Sequence, residues 1–263
     1  MTTAIVGIQA RMSSSRLPGK SLADVAGLPL IQRVVDRARA ASRVDLVCVL
    51  TSDEASDDPL VRYCEEHGIL VRRGPLEDVF ARYEALVDEF QPRYVVRVTG
   101  DCPLIDPEHI DAQLVALEQH DADFAPIPEA EHIFAGQGAF SARALAAAAT
   151  STDPRDREHV GSFYFARNAG QFRFVELPLR EELRGLCHEE LRLCVDEAPD
   201  LELVRLVFER FAPCHGSIVP LVDVLRWLDE APQPRALNQA VQQSADNLAI
   251  QAMRRSRQGR EAS

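Results

Sequence analysis

Arg11, Arg16 and Lys20 fall within ten residues of one another, interleaved with Ser13, Ser14 and Ser15. Guanidinium forks grip phosphate oxygens in pairs, and small serine side chains let backbone N–H groups approach the same oxygens. The pattern therefore suits a phosphate-bearing polyanion. A solvated basic loop has the same composition, and position is what favours the phosphate site. The loop follows Ala4–Ile8, an apolar run that reads as a buried strand, and contains the turn signal Pro18-Gly19. In α/β proteins ligands sit at the carboxyl ends of such strands.

Asp101 is the second candidate. It lies in Thr99-Gly-Asp-Cys-Pro-Leu-Ile-Asp106, where a central strand breaks into a loop. A carboxylate at a strand end near a phosphate loop suits Mg2+, which takes oxygen ligands and shares them with substrate phosphates. A turn or helix cap is the alternative; Asp106, ahead of Pro107-Glu108, reads as that ordinary cap. Asp196 follows the apolar run Leu191–Val195 and opens a helix at Pro199-Asp200, so strand end and cap both stay open for it.

The elements that must position these residues alternate. Strands are expected at Ala4–Ile8, Asp45–Leu50, Ile69–Val71 and Tyr94–Val98, with helices after the opening loop, through Val61–Glu65 and over Glu77–Phe90. This β-α-β-α-β-α-β order implies an α/β fold with a mainly parallel central sheet and helices on both faces. Further on, Asp121–Ala125, Phe172–Leu177 and Leu191–Val195 read as strands, and Leu201–Phe211 and Leu221–Leu228 as amphipathic helices. Pro126–Gly138 is a loosened stretch, and the Arg-rich end from Arg254 reads as a fraying tail. Asp121-Ala-Asp123 is a single D-x-D at a strand entry, expected on the surface and outside the chemistry.

A net charge of −12 argues against a general nucleic-acid binder and makes the basic loop a local site for a small anion. No apolar run approaches the ~18 residues that span a bilayer, and the start of the chain has no signal-peptide shape. No membrane partner and a cytoplasmic location are the expectation. The six cysteines have neither C-x-x-C nor zinc-ligand spacing and read as reduced, mostly buried thiols.

The motif R-x-x-S-x-R-L-P-G-K, and the whole of Ile8–Lys20, resembles the opening of the cytidylyltransferases that make CMP-activated sugars. The likeness is greatest to the SpsF-type branch of spore coat polysaccharide proteins, with the KDO and acylneuraminate cytidylyltransferases as cousins. Thr99–Asp106 closely matches the same pattern. Val195-Asp196-Glu197-Ala198-Pro199-Asp200-Leu201-Glu202 keeps that family's Asp but not the Thr that follows it, and the Gly-Leu-Asp run usual in the acceptor loop is missing. The resemblance implies a Rossmann-like nucleotidyltransferase (GT-A-like) fold, CTP as co-substrate, Mg2+, an acidic sugar or related anionic acceptor, and a homodimer. It implies a nucleotidyltransferase domain over residues 1–230, with an acceptor or dimer insertion at about 126–190 and a polar C-terminal helix and tail over 231–263. It places Arg11 and Lys20 in catalysis, Ala10, Ser13, Ser14 and Arg16 against the nucleotide, Arg73 and Thr99 near the cytosine base, and Asp101 with Asp196 on the metal. Arg157, Glu158 and His159 fall on its acceptor or dimer side. Two rivals stand beside this reading. A GT-A-type glycosyltransferase would rely on Asp121 and Asp123 instead of Lys20, and a non-catalytic nucleotide-binding module would release no pyrophosphate.

Overall fold

The computed structural model describes residues 3–126, 137–186, 191–242 and 249. The opening strand β1 (Ala4–Gln9) is buried along almost its whole length, as its Ala-Ile-Val-Gly-Ile composition demands of a central strand. A small hairpin, β2 (Asp24–Val25) and β3 (Leu28–Pro29), leads into α1 (Leu30–Ala40). Then come β4 (Leu46–Ser52), α2 (Asp58–Glu66), β5 (Leu70–Gly74), α3 (Val79–Phe90), β6 (Tyr94–Thr99) and α4 (Pro107–His120). The second half holds β7 (Phe124–Ala125), β8 (Gln137–Ser141), α5 (Ala142–Ala148), α6 (Pro154–Glu158) and α7 (Ser162–Arg167). It closes with α8 (Ala198–His215), α9 (Leu221–Glu230) and α10 (Pro232–Ala236).

The main sheet has the order β5-β4-β1-β6-β8-β7. β1 pairs in parallel with both β4 and β6, and β4 with β5, so the core is parallel as expected; β8 runs antiparallel to β6. Chain order runs outward from β1 to β5 and then returns to β6 on the other side. The cleft between the carboxyl ends of β1 and β6 is thus the topological switch point, where open α/β sheets bind ligands.

Alternation along the strands sends side chains to two cores. Val6, Ile8, Val49, Val96 and Val98 pack under α1, α2 and α4, while Ile5, Leu50, Val95 and Phe140 pack under α3, α5 and Phe165. A third cluster seats α8 and α9 on Val25, Leu30, Leu104, Leu191, Leu193 and Val195.

Three expectations are corrected. Leu191–Val195 forms no strand: Leu191, Leu193 and Val195 join the core with α8 and α9, and Arg192 between two of them is buried as well, but the segment joins no sheet. Phe172–Leu177 contributes only one bridge, Phe174 to Phe124, because its neighbour β7 is two residues long. Asp123 is 7% exposed, not on the surface. Its carboxylate accepts from Arg143 Nη2 at 2.7 Å and Arg173 N at 3.0 Å. Beyond the expected strands the structure adds β8 and the two-residue strands of the β2–β3 hairpin. Most of the Pro126–Gly138 loop and all of the Arg-rich end from Arg254 lie outside the described residues.

Candidate functional site

Two strand ends build the cleft. Gly100, directly after β6, donates its N–H to Gln9 O at 2.8 Å, and a Cβ there would stand 2.7 Å from Ala10 Cβ. Only glycine allows that approach. Ala10 is buried in this seam with its N–H committed to Leu50 O at 3.1 Å, so it serves the site as a wall.

The basic loop leaves β1 and is fastened from beneath. Met12 N–H donates to Asp57 Oδ1 at 2.7 Å, Gly19 N–H to Met12 O at 2.8 Å, and the Ser21 hydroxyl to Arg11 O at 2.9 Å. Gly19 has φ of 78°, the left-handed turn that sets the chain into a 3-10 turn at Lys20–Leu22. Asp57 is fully buried and also takes Thr51 Oγ1 at 2.9 Å and the Ser52 N–H and hydroxyl. Burial alone would raise its pKa; the bonds from Ser52, Met12 and Thr51 outweigh it and hold Asp57 below the ordinary carboxylate value. Nothing in the acidic Asp53–Asp58 stretch distinguished this residue, which anchors the basic loop from 45 positions away.

Lys20 is the centre of the site. Its Nζ donates to Asp101 Oδ2 at 2.9 Å, Asp196 Oδ1 at 3.0 Å and Val195 O at 2.7 Å. Burial pulls the Lys20 pKa down, but Asp101 and Asp196 together more than offset it, and the net direction is up. Asp196 is conversely held down: burial would raise it, and Lys20, Arg192 and Arg16 prevail. The second Asp196 oxygen pairs with Arg16 Nη2 at 2.8 Å and with Arg192. The structure thus brings together Arg16, Lys20, Asp101 and Asp196, although Asp101 and Asp196 lie in distant parts of the chain.

A layer beneath this cluster escaped the sequence. Arg192 Nε reaches the fully buried Asp200 at 3.1 Å, and Asp200 Oδ2 accepts the N–H groups of Asp196 and Glu197, both at 2.9 Å. Glu197 and Asp200 form a reciprocal capping box on α8, so the Glu197-Ala198 departure is absorbed by a helix cap. Asn238, 2% exposed, donates to Asp200 Oδ1 at 2.8 Å from the C-terminal segment. The Glu197-to-Asp200 cap spacing was the one signal available; nothing announced Arg192 or Asn238. Arg97, in β6, is a further residue missed. Its Nε donates to Gln9 Oε1 at 2.8 Å, and burial keeps its pKa below the ordinary guanidinium value.

The remaining candidates are placed as follows. Arg11 and Ser13 are exposed on the loop, and Ser14 Oγ accepts from Leu17 N–H at 3.4 Å. Thr99 ends β6 with its hydroxyl 3.2 Å from Cys102 Sγ. Arg73, at the end of β5, gives its donors to Ser52 O at 3.0 Å, Glu54 O at 2.8 Å and Asp58 at 2.7 Å, bracing the loop that carries Asp57. Arg157 pairs with Asp78 at 2.8 Å and Glu84 at 2.6 Å, fastening α6 to α3. Asp106 caps α4, as expected, and binds Arg180 at 2.8 Å. The expectation of reduced cysteines is corrected at one place: Cys102 and Cys194 form a disulfide.

Among the described residues no three His, Cys, Asp or Glu side chains converge on a metal-sized point. Asp101 and Asp196 do converge on one cation, the Lys20 ammonium. A pair of hard carboxylate oxygens at such a point fits Mg2+, which fills the rest of its shell with water and substrate phosphate. The D-x-D offers no comparable pair, since Asp123 is already consumed by Arg143 and Arg173.

The cytidylyltransferase family profile matches residues 5–198. The spore coat polysaccharide biosynthesis protein SpsF of Bacillus subtilis is 29% identical over 209 residues, covering 77% of this chain and 85% of that protein. A 3-deoxy-manno-octulosonate cytidylyltransferase of Brucella anthropi is 34% identical over 227 residues, covering 76% and 88%. The solved structure of a cytidylyltransferase from Leptospira borgpetersenii superimposes with a TM-score of 0.79 at 25% identity, covering 89% of this chain and 97% of that one.

Proposed function

The chain belongs to the cytidylyltransferase family, and from that premise we propose that it transfers CMP from CTP to a hydroxyl of an acidic sugar, releasing pyrophosphate, with Mg2+ required. The observation that carries this reading is the Lys20 ammonium held between Asp101 and Asp196 at the switch point, beside the arginine-bearing loop. In the reaction the acceptor oxygen forms a bond to the α-phosphorus and the bond to the pyrophosphate oxygen breaks in line with it. The protein's part is positioning and charge. Arg11, Ser14, Arg16 and Lys20 take the triphosphate, Lys20 and Arg16 exchanging carboxylate for phosphate oxygens, and Arg11 and Lys20 steady the leaving pyrophosphate. Asp101 and Asp196, released from those cations, hold the metal. When bound, Mg2+ offsets phosphate charge and lowers the pKa of the acceptor hydroxyl.

Thr99 faces the base, and Arg73 shapes that side through the Ser52–Asp58 loop it braces. The acidic sugar is supported by the name of the Brucella anthropi relative, and polysaccharide synthesis by that of SpsF. A cytoplasmic setting and a homodimer belong to the same proposal, the latter tested by sedimentation. Among the described residues no helix is long and apolar enough to cross a membrane.

The test is pyrophosphate release with CTP, UTP, GTP or ATP, with Mg2+ or a chelator, and 3-deoxy-manno-octulosonate or N-acetylneuraminate as acceptor. Release confined to CTP, requiring both metal and an acidic sugar, is the expected result. Turnover of a nucleotide-sugar, with no release from CTP by any acceptor, would replace this reading with a glycosyltransferase.

A further inference from the structure

The Cys102–Cys194 disulfide lies in an unusual place for chemistry. Its half-cystines are 92 residues apart in sequence, with Cα atoms at 4.4 Å. Cys102 directly follows Asp101, and Cys194 precedes Asp196 by two residues. The bond therefore ties together the two backbone segments that deliver the carboxylates to Lys20. Elsewhere at this crossing the backbone is joined by Val195 N–H donating to Asp101 O at 2.7 Å. Segment 191–196 belongs to no sheet, so no ladder fixes its distance from β6. The side chain expected near the base is coupled as well, with the Thr99 hydroxyl 3.2 Å from Cys102 Sγ.

We propose that this pair is a redox modification site that sets the separation of Asp101 and Asp196, and so governs how tightly the protein holds a divalent cation. The inference rests on the reading of those two aspartates as metal ligands. Its co-reactants are small thiols and their disulfides, of the glutathione type. Cys102 is 4% exposed, whereas Cys194 is only partly buried, so an incoming thiolate attacks Cys194 Sγ. The S–S bond breaks, a mixed disulfide forms at Cys194, and Cys102 leaves as the thiolate and takes a proton. A second small thiol then attacks the mixed disulfide at the small-molecule sulfur. Cys194 is released as a thiol, and two small thiols have become one small disulfide; the two electrons they lose reduce the protein bond. Oxidation runs the same steps backwards. Cys48 and Cys64 take no part, since burial pushes both thiols up to about 12 and keeps them protonated.

The test compares oxidised wild type, wild type reduced with glutathione, and the Cys102→Ser and Cys194→Ser variants. Free thiols are counted after denaturation, Mn2+ binding is followed by electron paramagnetic resonance with CTP present, and thermal unfolding is recorded in parallel. Reduction is expected to release two thiols and weaken Mn2+ binding by roughly 10-fold, the range seen when groups orienting metal ligands are lost. Both serine variants are expected to bind Mn2+ like the reduced protein and to ignore glutathione. Equal Mn2+ affinity in forms whose thiol counts differ would overturn the clamp while leaving the metal reading intact. Failure of every form to bind Mn2+ would overturn the metal reading and the clamp with it. A loss of thermal stability with no change in Mn2+ affinity would reduce the bond to a structural staple and overturn the proposal.

Discussion

Replacing Lys20 with methionine keeps the alkyl stem and removes the charge that Asp101 and Asp196 share. At an effective dielectric of about 20, each contact near 3 Å carries on the order of 5 kcal/mol of Coulomb energy, most of it cancelled by desolvation. Truncating one partner of a buried pair costs about 3–5 kcal/mol. Here the Asp101 and Asp196 side chains keep 26% and 16% of their exposure, so about 2–3 kcal/mol of folding stability is the expected loss for Lys20→Met without metal. The pKa of Lys20 is raised in the fold. Its contribution is therefore complete below the ordinary lysine value and is lost only in alkali, as pH rises through the folded value. At neutral pH the full effect should be visible. With the ammonium gone, the carboxylates face each other and are open to a divalent cation, so Mn2+ should restore much of the stability in the variant and little in the wild type. Turnover should fall by about 100- to 1,000-fold, as when one donor to a transferring phosphate or oxyanion is removed. The assay pairs thermal unfolding, with and without Mn2+, with pyrophosphate release. Equal Mn2+ stabilisation of both proteins, or unchanged turnover in Lys20→Met, would refute the idea that Lys20 alternates between carboxylates and phosphate.

Three further outcomes are expected. Arg192→Met leaves the fully buried Asp200 short of a partner and should cost about 3 kcal/mol in chemical denaturation, together with a raised Mg2+ requirement, because Asp196 loses its support. Asp123→Asn should lower stability by about 2 kcal/mol yet leave kcat within about twofold, since its partners are structural; a collapse of kcat would revive the D-x-D. His109 is buried and its pKa is pulled down to about 4 by burial, so the fold favours the neutral ring. The unfolded chain binds the extra proton first, and stability should fall by about 3 kcal/mol as pH drops from about 6.5 to about 4. Thermal melts of wild type and His109→Gln across that window should converge at the acid end; parallel curves would refute the assignment.

What could be read from the sequence was local. Ala4–Ile8 announces a buried strand by composition, the Arg11–Lys20 loop by charge against an acidic background, and Asp101 by its place between strand and proline. Each signal lies within a few neighbouring residues, and the structure makes the first of them β1 and places the other two at the ends of β1 and β6. What was missed is non-local. Asp57 reads as one acid among several until Met12 arrives on it, and Arg192, Asp200 and Asn238 become a support only when α8 and the C-terminal segment meet. The pairing of Cys102 with Cys194 crosses 92 residues and has no spacing to betray it. β8 was missed because its partner, β6, precedes it by a helix and a loosened loop. Leu191–Val195 was misread for the opposite reason: Leu191, Leu193 and Val195 enter one core while Cys194 leans on another, which gives the apolar run of a buried strand without any strand to pair with.

The measurement that bears most directly on the central claim needs no acceptor. CTP, UTP, GTP and ATP, each with and without Mg2+, are titrated calorimetrically into wild type, Asp101→Asn and Asp196→Asn. Wild type is expected to favour CTP and to bind it more tightly with Mg2+, and each variant is expected to lose that metal-dependent gain. A preference for a purine nucleotide, or a Mg2+ effect undiminished in both variants, would contradict it.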